Sequence, residues 1–232
     1  VSRPEMMSSF GTIKIGQTWL DVGGGTGRNL HYLRAQLDFF DRIVVLDICP
    51  ELLVIGEENA RKSFTPAQCA RISWVCLDIN SHNIRALLAH HLGNDLTRGF
   101  DTITFSYSLT MIPEWEKALE SAKKLMSNDG RLLLADFDSY TEQGNSIKDS
   151  LIKFWYAQDG VRIEAKTRQV ITNKVFASDK YVVTVSRFQR PLFGVSIPHQ
   201  VICCRRKTMT CANGYRRASS PSNALSEEKK MD

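Results

Sequence analysis

Asp21, Gly23, Gly25 and Gly27 occupy alternate positions in WLDVGGGTGRNL (19–30), and two further acids, Asp47 and Asp78, follow at the ends of later apolar runs. Glycine inside an element costs roughly 0.5–1 kcal/mol relative to alanine. A cluster of glycines here therefore needs a reason: a strained turn, or a ligand that comes close to the backbone. A pyrophosphate-binding fingerprint, G-x-G-x-x-G, would set its last glycine at position 28, where the chain has Arg28. An acid precedes the first glycine instead. Asp47 comes twenty residues after Gly27, where a carboxylate can accept both hydroxyls of a ribose. Asp78 closes a third run, WVCLDI. Each acid alone could be a helix N-cap. Together, at three successive strand ends, they form a cofactor-binding pattern.

The elements that position these residues follow a regular rhythm. Strand-like runs at 17–22, 42–47, 71–79, 100–108 and 131–137 alternate with helix-like segments after the glycines and at 50–64, 81–92 and 113–126. NDG (128–130) reads as the turn into the fifth strand. This spacing predicts right-handed βαβ units, and the continuously apolar strands fit a sheet covered on both faces. Beyond Asp138 the pattern changes to an amphipathic helix at 146–160. Two strands follow, 180–188 and 199–207, joined by QRPLFGVSIP and expected to pair antiparallel. Residues 208–232 are polar and aperiodic, and read as a disordered tail or linker.

The Asp-x-Gly-x-Gly-x-Gly loop resembles that of class I S-adenosylmethionine methyltransferases. The resemblance implies a Rossmann-like α/β fold: a mostly parallel sheet with helices on both faces and an antiparallel C-terminal strand pair. It also implies S-adenosyl-L-methionine as cofactor. Asp21 would face the methionine part, Asp47 the ribose and Asp78 the adenine amino group; Gly23, Gly25, Gly27, Ile48, Ile79 and Ser106 complete the expected set. Such enzymes carry one or two capping helices before the first strand. Only sixteen residues precede Gln17, so a truncated cap is expected over 1–16, with the catalytic domain at 17–207.

Methyl transfer from a sulfonium is an in-line displacement that asks mainly for alignment and exclusion of water. No catalytic residue is therefore assigned, although Asp136 and Asp138 are candidates to take a proton from the acceptor; a helix cap or a solvated loop acid is the plainer reading of each. The acceptor should meet SYSLTMIP (106–113), where Tyr107 could hold an amine by cation–π contact and Met111 could line the same pocket. Trp155 and Tyr156 could cover that pocket or rest on a membrane, or simply pack in the core. The Asn/Asp-Pro-Pro-aromatic motif of nucleic-acid amino-methyltransferases is missing from this stretch, which argues against a nucleic-acid partner.

WLDVGGGTGRNL, SYSLTMIPEW and GRLLLADF together resemble the methyltransferase part of betaine lipid synthases, over roughly residues 17 to 205. That implies trimethylation of the amino group of diacylglyceryl-homoserine, with a partner domain making the homoserine lipid. A small-molecule or quinone-type methyltransferase, a non-catalytic cofactor-binding scaffold and an NAD-dependent oxidoreductase are the alternatives.

Net charge is +5, yet residues 160–217 hold twelve Lys/Arg against two Asp/Glu. That stretch could meet an anionic membrane surface, or be a basic solvated edge. The six cysteines form no CxxC pair and the five histidines no HxxxH, so neither zinc nor a disulfide framework is expected, and a reducing compartment is. The expected location is cytoplasmic, peripheral on the cytoplasmic face of an internal membrane if the basic stretch binds headgroups.

Overall fold

The computed structural model describes residues 3–93, 96–141, 146–158, 160–162, 166–177, 180–192 and 195–207. Seven strands form one sheet: β1 (Gln17–Val22), β2 (Phe40–Asp47), β3 (Ile72–Cys76), β4 (Phe100–Ser106), β5 (Met126–Phe137), β6 (Tyr181–Leu192) and β7 (Val195–Arg206). Their order is β3-β2-β1-β4-β5-β7-β6. The first five run parallel, and β7 lies antiparallel between β5 and β6. The expected fold is therefore the observed one.

Strand alternation divides the core in two. Trp19, Ile43, Val45, Leu133 and Ala135 face one side, while Leu20, Val44, Leu46, Leu132 and Leu134 face the other. The first side is covered by α1 (Arg3–Ser8), α2 (Arg28–Tyr32) and α3 (Pro50–Ser63), followed by the short α4 (Pro66–Cys69). The second is covered by α5 (Ile84–His91) and α6 (Trp115–Leu125). Trp115, Ala118, Leu119, Ala122 and Leu125 form the buried stripe of α6, at the spacing of an amphipathic helix. Beyond β5 come α7 (Ile147–Ala157) and α8 (Lys166–Val170), the latter running into a π-turn at Ile171–Val175.

Three sequence expectations are corrected. The helix after the glycines breaks at Leu33 and continues as a 3₁₀ turn, Arg34–Phe39, which lets Leu30, Leu33 and Leu37 all reach one cluster. NDG is not a turn between elements but lies inside β5, at an irregularity in its pairing with β4. The expected connection at 189–198 belongs largely to the strands. Pairing of β6 with β7 runs out to Leu192 and Val195, past the end of β5 at Phe137. Pro198 is tolerated because it lies past the last β5 pair, Phe137 with His199, where its missing N–H breaks no ladder bond while its carbonyl still accepts from Asp138 N at 3.0 Å. Met6, Met7 and Phe10 of the lead-in are buried, with Phe10 edge-on to Trp19 at 5.2 Å. The tail at 208–232 lies outside the described residues.

Candidate functional site

Strand order reverses between β1 and β4, and parallel sheets bind ligands beyond the carboxyl ends of strands at such a point. A cleft of about 500 Å³ opens there, walled by Gly25, Asp47, Ile79, Tyr107 and Met111 among others. That is within the usual range for a small-molecule site. Ile48, Asp78 and Gly23 also line it.

Asp47 organises the floor. Its Oδ2 accepts a hydrogen bond from Gly25 N at 2.8 Å and its Oδ1 one from Cys49 N at 3.0 Å. Each carboxylate oxygen keeps further lone-pair capacity for hydroxyl donors. Gly25 has φ +52°, and a Cβ placed on it would meet nothing closer than 3.7 Å, so its free side is the open cleft. Gly27 is different. A Cβ there would stand 2.5 Å from Trp74 Cη2, and one on Gly56 of α3 would stand 2.5 Å from Trp74 Cζ3. Gly27 and Gly56 thus let loop and helix close over the Trp74 ring, a packing role that the ligand reading of Gly27 did not include.

Asp21 is not brought into the cleft. It is fully buried beneath the loop, accepting from Thr104 Oγ1 at 2.6 Å and from Asn29 Nδ2 at 2.9 and 3.0 Å. Thr104 in turn accepts from Trp19 Nε1 at 2.8 Å. This chain fixes the start of α2 against β1 and β4, so Asp21 shapes the loop from below. Ser106 is buried at the end of β4 and does not line the cleft. Asp78 stands exposed on the rim, two residues past β3, and its Oδ1 accepts from Asn80 N at 2.8 Å.

The acceptor side is built after β4. Tyr107 has φ +57°, an outlier for a bulky residue, and its N–H donates to Ala135 O at 2.8 Å. Its ring lies 5.0 Å from Phe137, edge-on, and its Oη lies 3.2 Å from Nδ1 of His199. Met111 is 54% exposed, so here it is a cleft residue and not core. The side chain of Trp155 lies outside the described residues; Tyr156 packs on Phe137 at 4.5 Å.

Asp136 and Asp138 are neither helix caps of their own chain segment nor solvated acids. Asp136 is buried under the 3₁₀ turn Leu109–Met111, accepting from Thr110 N at 3.1 Å and Thr110 Oγ1 at 2.8 Å. Burial pushes its carboxyl up to about 6, partly offset by these hydrogen bonds. Asp138 holds Arg168 at 2.8 Å and Arg187 at 2.6 Å. Both arginines belong to the basic stretch, and Lys174 of the same stretch pairs with Glu116, so part of that charge is used inside the fold.

Sequence reasoning missed His199, 4% exposed and contributed by β7, and Asn80 beside Asp78. Asn80 could have been suspected from DIN at a strand end; nothing local marks His199.

A family model described as a methyltransferase domain matches residues 6–173. The chain belongs to the methyltransferase domain family. The match takes in β1 to β5 and stops before β6 and β7. Among curated relatives, the ubiquinone/menaquinone biosynthesis C-methyltransferases UbiE of Enterobacter sp. (strain 638) and Escherichia fergusonii are each 31% identical over 125 residues, 54% of this chain and 44% of theirs. The chain thus spans less than half the length of these relatives. Of solved structures, YcgJ of Bacillus subtilis is similar with a TM-score of 0.68, 11% identity and coverage of 88% of this chain and 98% of that one. Phosphoethanolamine N-methyltransferase 2 of Haemonchus contortus, in complex with S-adenosyl-L-methionine, gives 0.65, 11%, 88% and 52%. At these identities the structural likeness speaks for the fold.

S-adenosylmethionine is the cofactor expected of a methyltransferase of this family, and the cleft suits it. Asp47 offers acceptors for ribose hydroxyls and Gly25 leaves its side of the loop open. Asn80 Oδ1 is buried without a hydrogen-bond partner among the described residues, an acceptor that an adenine amino group would satisfy. Once bound, the cofactor supplies an electrophilic methyl group. The protein's share is to align the acceptor and shut out water. Among the described residues no cluster of His, Cys, Asp and Glu could hold a metal ion, and no helix is long and apolar enough to cross a membrane.

Proposed function

We propose that this methyltransferase methylates an amine nitrogen carried by a lipid headgroup, with the homoserine amine of diacylglyceryl-homoserine as acceptor. The observation that carries the reading is Tyr107, an aromatic face held at the cleft wall by a strained backbone and by Phe137. An aromatic face favours the cationic product of N-methylation, by roughly 0.5–2 kcal/mol per contact according to desolvation. The resemblance of SYSLTMIPEW to betaine lipid synthases supports the same acceptor. The H. contortus neighbour named as a phosphoethanolamine N-methyltransferase is an instance of amine methylation on this fold.

A lipid acceptor calls for attachment to a membrane. Ile147, Leu151 and Phe154 are 82%, 64% and 71% exposed at i, i+4 and i+7 on α7, an apolar stripe of the kind that lies in a membrane interface. Basic residues of 160–217 that are not paired internally would add attraction to anionic lipid. Pelleting with vesicles of anionic phospholipid, weakened by salt and by Phe154→Ser, is the expected result; a partner domain would deliver the homoserine lipid.

The test is a transfer assay with labelled S-adenosylmethionine and diacylglyceryl-homoserine in mixed micelles, with products resolved by mass. Mono-, di- and trimethylated products are expected. A second reading, carbon methylation of a quinone ring, is favoured by the 31% identity to the UbiE relatives. Transfer to a demethylated quinone with none to the amine would replace the first reading by the second.

A further inference from the structure

We propose that Tyr107 and His199 form a proton-accepting pair that neutralises the acceptor ammonium before methylation; the inference rests on the amine reading above. An ammonium has no lone pair, so a proton must leave before the nitrogen can attack. The acids first considered for this step are poorly placed. Asp138 is held by two arginines, and Asp136 is closed off beneath the turn at Leu109–Met111. Tyr107 lines the cleft, and its hydroxyl is 3.2 Å from His199 Nδ1.

Three independent observations set this contact apart from ordinary packing. Tyr107 is one of two non-glycine residues with positive φ among those described, the other being Asn83 in a surface turn. Strain of this kind costs on the order of 1–3 kcal/mol and persists where surroundings enforce it. Here the enforcing contacts are Tyr107 N to Ala135 O and, next in sequence, Ser108 Oγ to Val22 O at 2.7 Å. The second observation is the ring cage. Phe137 and Phe188 lie 5.2 and 6.1 Å from the His199 ring, which leaves the imidazole little freedom to turn. The third is topology: His199 comes from β7 and Tyr107 from the end of β4, and both meet over Phe137, the residue paired with His199.

The step balances as follows. An N–H bond of the ammonium breaks and its proton passes to Tyr107 Oη. The phenolic proton passes to His199 Nδ1, forming the imidazolium, and the nitrogen keeps the freed electron pair. The tyrosine is unchanged overall, and the imidazolium later returns its proton to water. Among the described residues, the charged and titratable groups that face His199 from the elements around it are Tyr107, Tyr156 on α7, Asp136 on β5, and the Asp138–Arg187 pair, in which Arg187 comes from β6.

The experiment compares the wild type with Tyr107→Phe, which keeps the ring, and His199→Asn, which keeps an acceptor near Nδ1 that cannot take a proton. Transfer to diacylglyceryl-homoserine is followed against pH, and imidazole ¹⁵N shifts are read without acceptor, with His199 assigned by its loss in His199→Asn. In both variants kcat should fall on the order of 100-fold or more, with KM little changed, and the acidic limb of the pH profile should flatten. Above that limb, the wild-type Nδ1 signal should be that of an unprotonated nitrogen accepting a hydrogen bond which Tyr107→Phe removes. A variant with wild-type kcat and an unaltered acidic limb overturns the proposal, and so does a neutral imidazole protonated at Nδ1. Wild-type protein that methylates no amine sinks the acceptor reading instead, and the ¹⁵N shifts then decide the pair separately.

Discussion

The Asp47 carboxylate is bonded to the backbone of the glycine loop, 2.8 Å from Gly25 N, and so joins the end of β2 to the turn after β1. One side chain therefore both shapes the cofactor loop and faces the cleft. Asp47→Ala should weaken S-adenosylhomocysteine binding by about 10–100-fold, the worth of hydrogen bonds to a charged group at about 1.5–3 kcal/mol. Titration calorimetry reads this directly. Binding unchanged within error would remove Asp47 from the cofactor site.

The glycines separate binding from stability. Gly25→Ala adds a methyl group on the open side of the loop and should lower cofactor affinity while costing only about 1 kcal/mol in folding, the penalty for positive φ. Gly56→Ala drives a methyl group into Trp74 and should cost about 1–3 kcal/mol of stability. Trp74→Leu in the same chain should recover part of that loss. Urea melts of the single and double variants, set beside their calorimetric affinities, check both halves.

Asp136 gives the fold a pH dependence of unusual sign. Its carboxyl rises from 3.8 to about 6 on folding because burial disfavours the charge. Between those values the folded chain holds a proton that the unfolded chain has released. Stability therefore falls as pH rises through this window, by roughly 3 kcal/mol in all at 1.36 kcal/mol per pH unit. Asp136→Asn is neutral throughout and should lack this slope. Stabilities of the two proteins measured from about pH 4 to about pH 7 should converge or cross as pH rises. Parallel curves would show that Asp136 is ionised in the fold at every pH tested.

Asp138→Ala removes the buried carboxylate that Arg168 and Arg187 share and should cost on the order of 3–5 kcal/mol. Lys174→Ala removes only the exposed pair with Glu116 and should stay within about 0.5 kcal/mol. Equal losses in denaturant melts would contradict the burial difference between the two pairs.

The parallel half of the fold was legible because each of its strands carries its own signal. RIVVLD has an apolar centre and FDTITFS alternates β-branched and aromatic residues with Thr, and both become strands buried on two faces over their central residues. The glycine loop, Asp47 and Asp78 could be placed for the same reason, since strand ends fix them. The bonding of Asp21 was not legible because its partners, Thr104 and Asn29, come from a distant strand and from the helix beyond the loop. His199 was invisible for a related reason. Its contact with Tyr107 joins residues 92 apart, and register between β5 and β7 alone brings them together. The extent of β6 and β7 was underestimated because Pro191 and Pro198 read as breakers, although both are accommodated where the ribbon projects beyond β5.

The insertion of β7 between β5 and β6 also bears on how the chain is born. A ribosome releases β5 with its apolar LLLA run well before the strand that will cover its open edge, and at about 5–20 residues per second the wait is a matter of seconds. During that interval the edge can pair with other chains. The nascent protein would then depend on being shielded until its last described strand arrives, and a stall in synthesis there would expose the edge for longer.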